Sequence, residues 1–297
     1  MSIGDPLTTV AYAGEPGAFA EDAVVAAFGD EAKRTPVGGF REVFEAVDAG
    51  AVAFGVVPIE NLVNGSVREV YDLLLEHELD IVGEAVVPVD LCLAALPSVP
   101  LAAVQRVYSH IQALGQAERF LRAGGWALLT TYNTAGAGRF ILAQNDRGAA
   151  AVLSRRAADA LGLEVLASSI QDVPDNRTRF YVIAARQPGA AGAAGSLPPA
   201  PAGLPSPSAG GRMRTTIAFG VRNEAGTLLR ALEVFAARGI NLSKLESRPS
   251  RTAAWEYVFW TDLDADQNDP ECAAALNELR AAATVVRTFG SYPRVMD

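Results

Sequence analysis

Cysteine and histidine are scarce in this chain of 297 residues: Cys92, Cys272, His77 and His110 are the full complement. The cysteines have no CxxC spacing and sit in apolar or alanine-rich surroundings, which predicts reduced, buried thiols and no structural disulfide. Two isolated histidines, without an HExxH or a Cys/His cluster, supply no metal-ligand set, so no metal is expected. Basic tails and long runs of one charge are also missing. With 25 basic against 34 acidic residues, a net charge of −9 and a pI near 4.9, nucleic acid and anionic membrane are not expected as partners. The first residues carry Asp5 and Pro6 in place of a basic segment and an apolar stretch, so secretion is not signalled and a cytoplasmic location is expected. The longest apolar stretch, residues 85–104, is broken by Pro88, Asp90, Pro97 and Pro100, which excludes a membrane helix there.

Half of the residues are hydrophobic, enough for a sizeable core, and the length suits two domains. One interruption organises the chain. Residues 187–212 are built mainly of Ala, Gly, Ser and Pro, with Pro198-Pro199 and Pro205-Ser206-Pro207, a composition that buries nothing and predicts a flexible linker. Before it, predicted strands near 8–14, 52–58, 104–108, 127–132 and 163–169 alternate with predicted helices near 18–29, 40–49, 67–77, 110–123, 134–144 and 149–161. That alternation implies an α/β domain, a parallel or mixed sheet with helices on both faces. After it come strand 215–221, helix 227–238, strands 241–248 and 255–262, helix 271–283 and strand 285–290, the βαββαβ order of a ferredoxin-like fold. The expected domains are therefore 7–186 and 213–291, with the linker between them.

Three patches carry chemistry. In the first, the polar loop Gln171-Asp172-Val173-Pro174-Asp175-Asn176 feeds a strand that starts Arg177-Thr178-Arg179-Phe180, placing a hydroxyl and a guanidinium at a strand mouth, where α/β folds keep ligand sites. On local grounds alone, Thr178-Arg179 is more often explained by strand propensity and a solvated charge than by a site. In the second, the apolar run Val56-Val57-Pro58-Ile59 delivers Glu60 and Asn61 beside a predicted helix start at Ser66, capped with Glu69, where free N–H groups favour an anion. Asn61 fits a ligand contact or a turn former. In the third, Val107-Tyr108-Ser109 enters a helix through a predicted capping box of Ser109 with Gln112. Gln112 and Gln116 share a face away from the stripe of Leu114, Ala117 and Leu121.

Together these patches resemble the prephenate dehydratase family. The resemblance rests on five ordered motifs: Ala11-Tyr12-Ala13-Gly14-Glu15-Pro16-Gly17-Ala18-Phe19, Pro58-Ile59-Glu60-Asn61, Ser109-His110-x-Gln112-Ala113-Leu114, Asn133-Thr134-Ala135 and Asn176-x-Thr178-Arg179-Phe180. Two positions depart from the family wording, Ile111 in place of proline and Leu62 in place of serine. Behind the linker, Asn223-Glu224-Ala225-Gly226-Thr227-Leu228 and Glu246-Ser247-Arg248-Pro249 resemble the two motifs by which ACT regulatory domains of this family hold phenylalanine. Thr227 stands where alanine is common.

The resemblance implies two α/β lobes joined by a hinge, like a type-II periplasmic binding protein, with the active site in the cleft. It implies a decarboxylating dehydration of prephenate to phenylpyruvate, controlled by L-phenylalanine. That chemistry needs hydrogen-bond donors and a water-poor cleft and no cofactor. Thr178 is assigned the departing hydroxyl, and Asn61, Ser109 and Gln116 the substrate oxygens. Thr134 is placed with the substrate-binding set. Arg179 pairs with a carboxylate or locks its loop, Phe180 is at the site as packing, and Glu60 is a general acid if burial raises its pKa. Side-by-side pairing of ACT domains implies a homodimer or homotetramer. Arogenate in place of prephenate, and a non-catalytic amino-acid sensor, remain as alternatives.

Overall fold

The computed structural model describes residues 8–186, 212–249 and 257–295. The predicted linker, apart from its last residue, and the first two residues of the strand predicted at 255–262 lie outside the described residues. The chain divides into two compact units, Met1–His77 with Ala85–Tyr181, and Glu78–Glu84 with Val182–Asp297.

The first unit contains two lobes, each with its own sheet. In the first lobe, β1 (Thr9–Ala13), α1 (Phe19–Phe28), β2 (Lys33–Val37), α2 (Phe40–Asp48), β3 (Phe54–Asn61), β4 (Gly65–Ser66), α3 (Arg68–Glu76) and β5 (Leu79–Pro88) follow one another. The second lobe consists of β6 (Leu91–Ala95), β7 (Arg106–Ser109), α4 (Ile111–Gln116), α5 (Glu118–Gly124), β8 (Ala127–Thr130), α6 (Thr134–Gln144), β9 (Ala149–Ser154), α7 (Arg155–Ala160) and β10 (Glu164–Ala167). The chain then returns to the first sheet as β11 (Arg177–Ala185), giving orders β2-β1-β3-β11-β5 and β10-β6-β9-β7-β8. Two sheets linked by two crossings are the two-lobed architecture that the resemblance implied.

Local patterning explains most of these elements. In α2, Val43, Phe44 and Val47 make a single buried stripe on an otherwise polar helix. The opposite case is β9, Ala-Ala-Ala-Val-Leu-Ser, buried at every position between β6 and β7. The two lobes meet where the Ser154 hydroxyl donates to the Gly17 carbonyl at 2.7 Å and accepts from the Ala157 N–H at 3.0 Å, capping α7. Gly17 has φ +91° and a Cβ there would lie 2.5 Å from the Ala157 Cα, so both backbone conformation and space require glycine.

In the second unit, β12 (Met213–Gly220), α8 (Thr227–Ala236), β13 (Leu242–Pro249), β14 (Tyr257–Leu263), α9 (Pro270–Ala282) and β15 (Val285–Pro293) form an antiparallel sheet of order β13-β14-β12-β15. This is the predicted ferredoxin-like βαββαβ fold, with Ile217, Phe219, Ala231, Phe235, Leu276 and Leu279 in its core. The early residues of β5 pack with it. Arg214 Nη1 donates to Glu84 Oε2 at 2.6 Å, both side chains being buried, and the Val295 N–H donates to Glu84 Oε1 at 2.9 Å. Arg186 donates to Asp80 and Glu78, each at 2.7 Å. Gly290, at φ +134°, would carry a Cβ 2.4 Å from the Ile81 carbonyl oxygen.

Several sequence expectations need correction. Residues 149–154 are β9, not helix, and only Arg155–Ala160 are helical. Alanine's helix propensity yields to a central strand position walled by neighbours on both faces. The helix predicted at 110–123 breaks at Ala117, with φ −116° and ψ 25°. Strands β2, β5 and β6 had no strand prediction. The first contains a proline at an edge, and the other two lie in or beside the apolar stretch whose prolines mark strand ends and loops. The capping box predicted for Ser66 and Glu69 is not formed: Ser66 pairs with Glu60 in β4, and α3 starts at Arg68 with no side-chain cap.

Both cysteines are buried and reduced, and Cys92 Sγ–H donates to the Leu153 carbonyl at 3.4 Å. Burial pushes each thiol up to about 11. The native protein at pH 8 is accordingly expected to release less than about 0.2 equivalents of chromophore from Ellman's reagent per chain until it is unfolded. Rapid reaction of either thiol in the native state would show that its strand or helix opens readily. Among the described residues, no helix is long and apolar enough to cross a membrane.

Candidate active site at the mouths of β3 and β11

The carboxamide of Asn61, the last residue of β3, organises the site. Its Oδ1 accepts the N–H groups of Val63 and Asn64, each at 3.0 Å, which holds the hairpin between β3 and β4. These two donors fix the amide's orientation, so Nδ2 faces the start of β11. There it donates to Asn176 Oδ1 at 3.0 Å, to the Arg177 carbonyl at 3.2 Å and to Thr178 Oγ1 at 2.9 Å. The turn-forming and site-forming readings of Asn61 are therefore both true, one for each end of the amide. The Leu62 N–H donates to the Arg177 carbonyl at 3.0 Å, so hairpin and strand mouth are also joined through the backbone.

This arrangement gives Thr178 a direction. A hydroxyl carries one hydrogen and two acceptor lone pairs, and Asn61 occupies an acceptor position. The Thr178 hydrogen has no acceptor among the described residues. Next in sequence, Arg179 Nη2 pairs with Glu60 Oε2 at 3.3 Å, and its guanidinium lies 5.5 Å from the Tyr181 ring centre. Arg179 thus locks the two strand ends together. The Glu60 side chain is 38 % exposed, so the burial on which a general-acid role depends is not present. Phe180 is buried and packs in the core. Leu62, 69 % exposed, and Ile111, 62 % exposed, put the two departures from the family wording on solvent-facing loop and helix-start positions.

The remaining predicted residues lie on the second lobe, at the carboxyl ends of β7 and β8. Ser109 ends β7, is fully buried and donates its hydroxyl to the Val152 carbonyl at 2.6 Å. It is not a helix cap. That place is taken by His110, whose Nδ1 accepts from the Gln112 N–H at 3.4 Å. The Ser109 carbonyl accepts from the Thr131 N–H at 2.8 Å, which brings the Ser109 backbone beside the loop leading to Thr134. Thr134 is the first residue of α6, capped by the side chain of Asn133. The Gln116 carbonyl accepts from the Asp172 N–H at 2.6 Å, tying α4 to the loop that runs into Asn176. Among the described residues, neither Ser109, Gln116 nor Thr134 is hydrogen-bonded to Asn61 or Thr178.

The opening motif reaches across to the same loop. Glu15 accepts from the Tyr132 hydroxyl and pairs with Arg139 Nε at 2.6 Å. The hydrogen bond to Glu15 is the chief cause that raises the Tyr132 phenol above its ordinary value.

The prephenate dehydratase family description matches residues 10–188, and that of the ACT domain matches residues 215–281. The chain is 38% identical over 287 residues to the bifunctional chorismate mutase/prephenate dehydratase of Aquifex aeolicus, covering 97% of this chain and 74% of that protein. It is 39% identical to an arogenate dehydratase/prephenate dehydratase of Arabidopsis thaliana, covering 96% and 72%. The prephenate dehydratase of Arthrobacter aurescens, solved with L-Phe, superimposes with a TM-score of 0.84 at 31% identity, covering 97% of this chain and 90% of that one. A structure described as a quorum-quenching acylase, GqqA, also reaches 0.84, at 30% identity and coverage of 97% and 98%. The chain belongs to the prephenate dehydratase family.

As in its family, the chain couples a prephenate dehydratase domain to an ACT domain. In that ACT domain Asn223 is exposed, Gly226 is the left-handed residue before α8, and the Thr227 hydroxyl donates to the carbonyls of Arg222 at 2.6 Å and Glu224 at 2.9 Å. The threonine therefore closes the loop, and Leu228 follows on the helix. Glu246, Ser247, Arg248 and Pro249 end β13, an edge strand, with Ser247 and Pro249 exposed and Glu246 and Arg248 half-buried. Sequence alone assigns no role to one prephenate dehydratase motif residue, Asn176. Its burial and its bond to Asn61 are the signals that single it out, and neither is visible in sequence.

Proposed function

We propose that this chain catalyses the decarboxylating dehydration of prephenate to phenylpyruvate, with carbon dioxide and water as the other products. The observation that carries the reading is the Thr178 hydroxyl, held as an acceptor by Asn61 at 2.9 Å with its hydrogen left for the departing oxygen. As the ring carboxylate leaves as carbon dioxide, its bonding electrons enter the ring, the C–O bond to the hydroxyl breaks, and the departing hydroxyl takes one proton from solvent to become water. Charge develops on that oxygen, and a positioned donor there stabilises the transition state more than the ground state. Asn61 acts through Thr178. Gln116 and Thr134 belong to the opposing lobe and meet the substrate carboxylates when the cleft is filled, and Ser109, its hydroxyl held by the Val152 carbonyl, fixes the strand end beside them. Arg179 and Glu60 hold the strand mouths, and Phe180 supports them from the core.

A second substrate is favoured by the names of the plant relatives: arogenate, with an amine in place of the keto group, would yield phenylalanine directly.

The proposed organisation is a catalytic domain of residues 7–186, a linker of 187–212 and a regulatory domain of 213–291. L-Phenylalanine is the effector, taken by the loop from Asn223 to Leu228 and by Glu246 to Pro249. The β13 edge, where Leu245 is exposed, supports a homodimer or homotetramer, and two buried free thiols suit the cytoplasm. The deciding experiment follows phenylpyruvate from prephenate, and phenylalanine from arogenate, by purified protein. Turnover of prephenate is expected, turnover of arogenate alone would replace it with the second reading, and turnover of neither would end both.

A further inference from the structure

A single carboxylate on the opening turn of the first lobe reaches two points on the second. Glu15 accepts from the Tyr132 hydroxyl and pairs with Arg139 Nε at 2.6 Å, and Thr134, the first residue of α6, lies between those two partners in sequence. The turn that carries Glu15 is held without its side chain. The Gly14 N–H donates to the Val37 carbonyl and the Ala18 N–H to the Glu15 carbonyl, each at 2.9 Å. On the other side, the Tyr132 ring lies against α6, since a Cβ on Gly136 would stand 2.5 Å from the Tyr132 Cζ. Two preformed pieces, one from each lobe, therefore meet at the Glu15 carboxylate. Among the described residues, no other side chain of the first lobe is hydrogen-bonded or ion-paired to residues 131–139. These contacts contribute little to folding, because Tyr132 is 70 % exposed and the Arg139 side chain 46 % exposed. The lobes are already joined by two chain crossings and by the buried bond from the Ser154 hydroxyl to the Gly17 carbonyl. What Glu15 fixes is the place of the α6 start relative to the lobe that carries Asn61 and Thr178.

We propose that Glu15 and Tyr132 are positioning residues for substrate binding, through which the first lobe holds Thr134 at the cleft before substrate arrives. The inference rests on the proposed reaction and adds two residues to its site. A protein whose binding-ready arrangement is only partly populated binds its ligand more weakly by that fraction. Without the Glu15 carboxylate, the stretch from Tyr132 to Arg139 loses its side-chain hold on the first lobe, and the fraction with Thr134 in place falls. Bound substrate, in contact with both lobes, restores the arrangement. The step at Thr178 then proceeds as before, so the expected signature is a raised KM at unchanged kcat.

The test is steady-state kinetics on the full chain with prephenate and, in parallel, arogenate, together with calorimetric titration of phenylpyruvate. Glu15→Ala is expected to raise KM about 5- to 20-fold and to weaken phenylpyruvate binding by a similar factor, with kcat within about twofold of the wild type. Tyr132→Phe, which keeps the ring against Gly136, is expected to raise KM about two- to fivefold, again at constant kcat. In a Glu15→Ala background the same change is expected to add less than about twofold, since its acceptor is already gone. The melting temperature of each variant is expected to stay within about 3 °C of the wild type, the range of a lost exposed pair. A fall in kcat at constant KM, an unchanged KM in both single variants, or losses that multiply in the double variant would overturn the inference while leaving the proposed reaction intact. If Glu15→Ala fails to fold, Glu15→Met, which keeps the length and removes both acceptors, decides by the same criteria. A wild type that turns over neither substrate removes the reaction itself, and the inference with it.

Discussion

Thr178→Ala is expected to lower kcat for prephenate by about 10²- to 10³-fold, the loss associated with one preorganised donor at a developing charge. The effect should fall on kcat and kcat/KM alike, because the bond to the departing oxygen strengthens as the C–O bond breaks. Geometry makes the size of the effect specific to this residue. Asn61 supplies a hydrogen to Thr178 Oγ1 at 2.9 Å, so the threonine hydrogen is turned away from Asn61 and left for a substrate oxygen. Thr178→Val, which keeps the shape and β-branching, should lose as much as alanine, whereas Thr178→Ser should recover at least about a tenth of wild-type kcat. Steady-state measurement of phenylpyruvate formation distinguishes these outcomes. A loss under threefold in Thr178→Ala would show that the donor lies elsewhere.

The largest expected effect on stability lies in the second unit. Arg214→Met removes the guanidinium 2.6 Å from Glu84, a carboxylate only 1% exposed. Breaking a buried ion pair from one side costs about 3–5 kcal/mol, because the remaining charge keeps its desolvation penalty and loses its main compensation. The pair joins the first strand of the ACT domain, β12, to the early part of β5, so the loss should appear in the denaturant transition of that unit. Replacing both partners, Arg214→Met with Glu84→Leu, should recover most of the stability, since paired apolar residues carry no such penalty. Urea unfolding followed by the fluorescence of Trp260, buried in the same sheet, provides the measurement. A double variant no better than Arg214→Met would mean that Glu84 acts chiefly through its bond from the Val295 N–H.

The expected elements were legible where one face of an element is buried and the other is not. The stripe of α2 and the helix Thr134–Gln144 follow from apolar spacing and capping residues. Legibility failed where burial is uniform or where a hydrogen bond forms far away in sequence. Ala149–Ser154 has the composition of a helix, and only neighbouring strands on both sides make it β9. Ser109 has the spacing of an N-cap, yet the Val152 carbonyl, 43 positions away, takes its hydroxyl and leaves the cap to His110. Ser66 likewise satisfies a capping pattern but pairs with Glu60 across a hairpin.

By itself the sequence determined which chemistry-bearing residues this protein has and in what order: the five motifs, the Ala/Gly/Ser/Pro-rich break and the βαββαβ pattern behind it. Those are properties of composition and local spacing, which act between residues a few positions apart. Tertiary structure alone decided how the residues are used. Asn61 and Thr178 are 117 positions apart, and their bond turns the threonine hydrogen away from Asn61. Asn176 became part of the site because its side chain meets Asn61 from 115 positions away. A hydrogen bond requires a distance near 3 Å and a direction, and only the packing of β3 against the mouth of β11 supplies both.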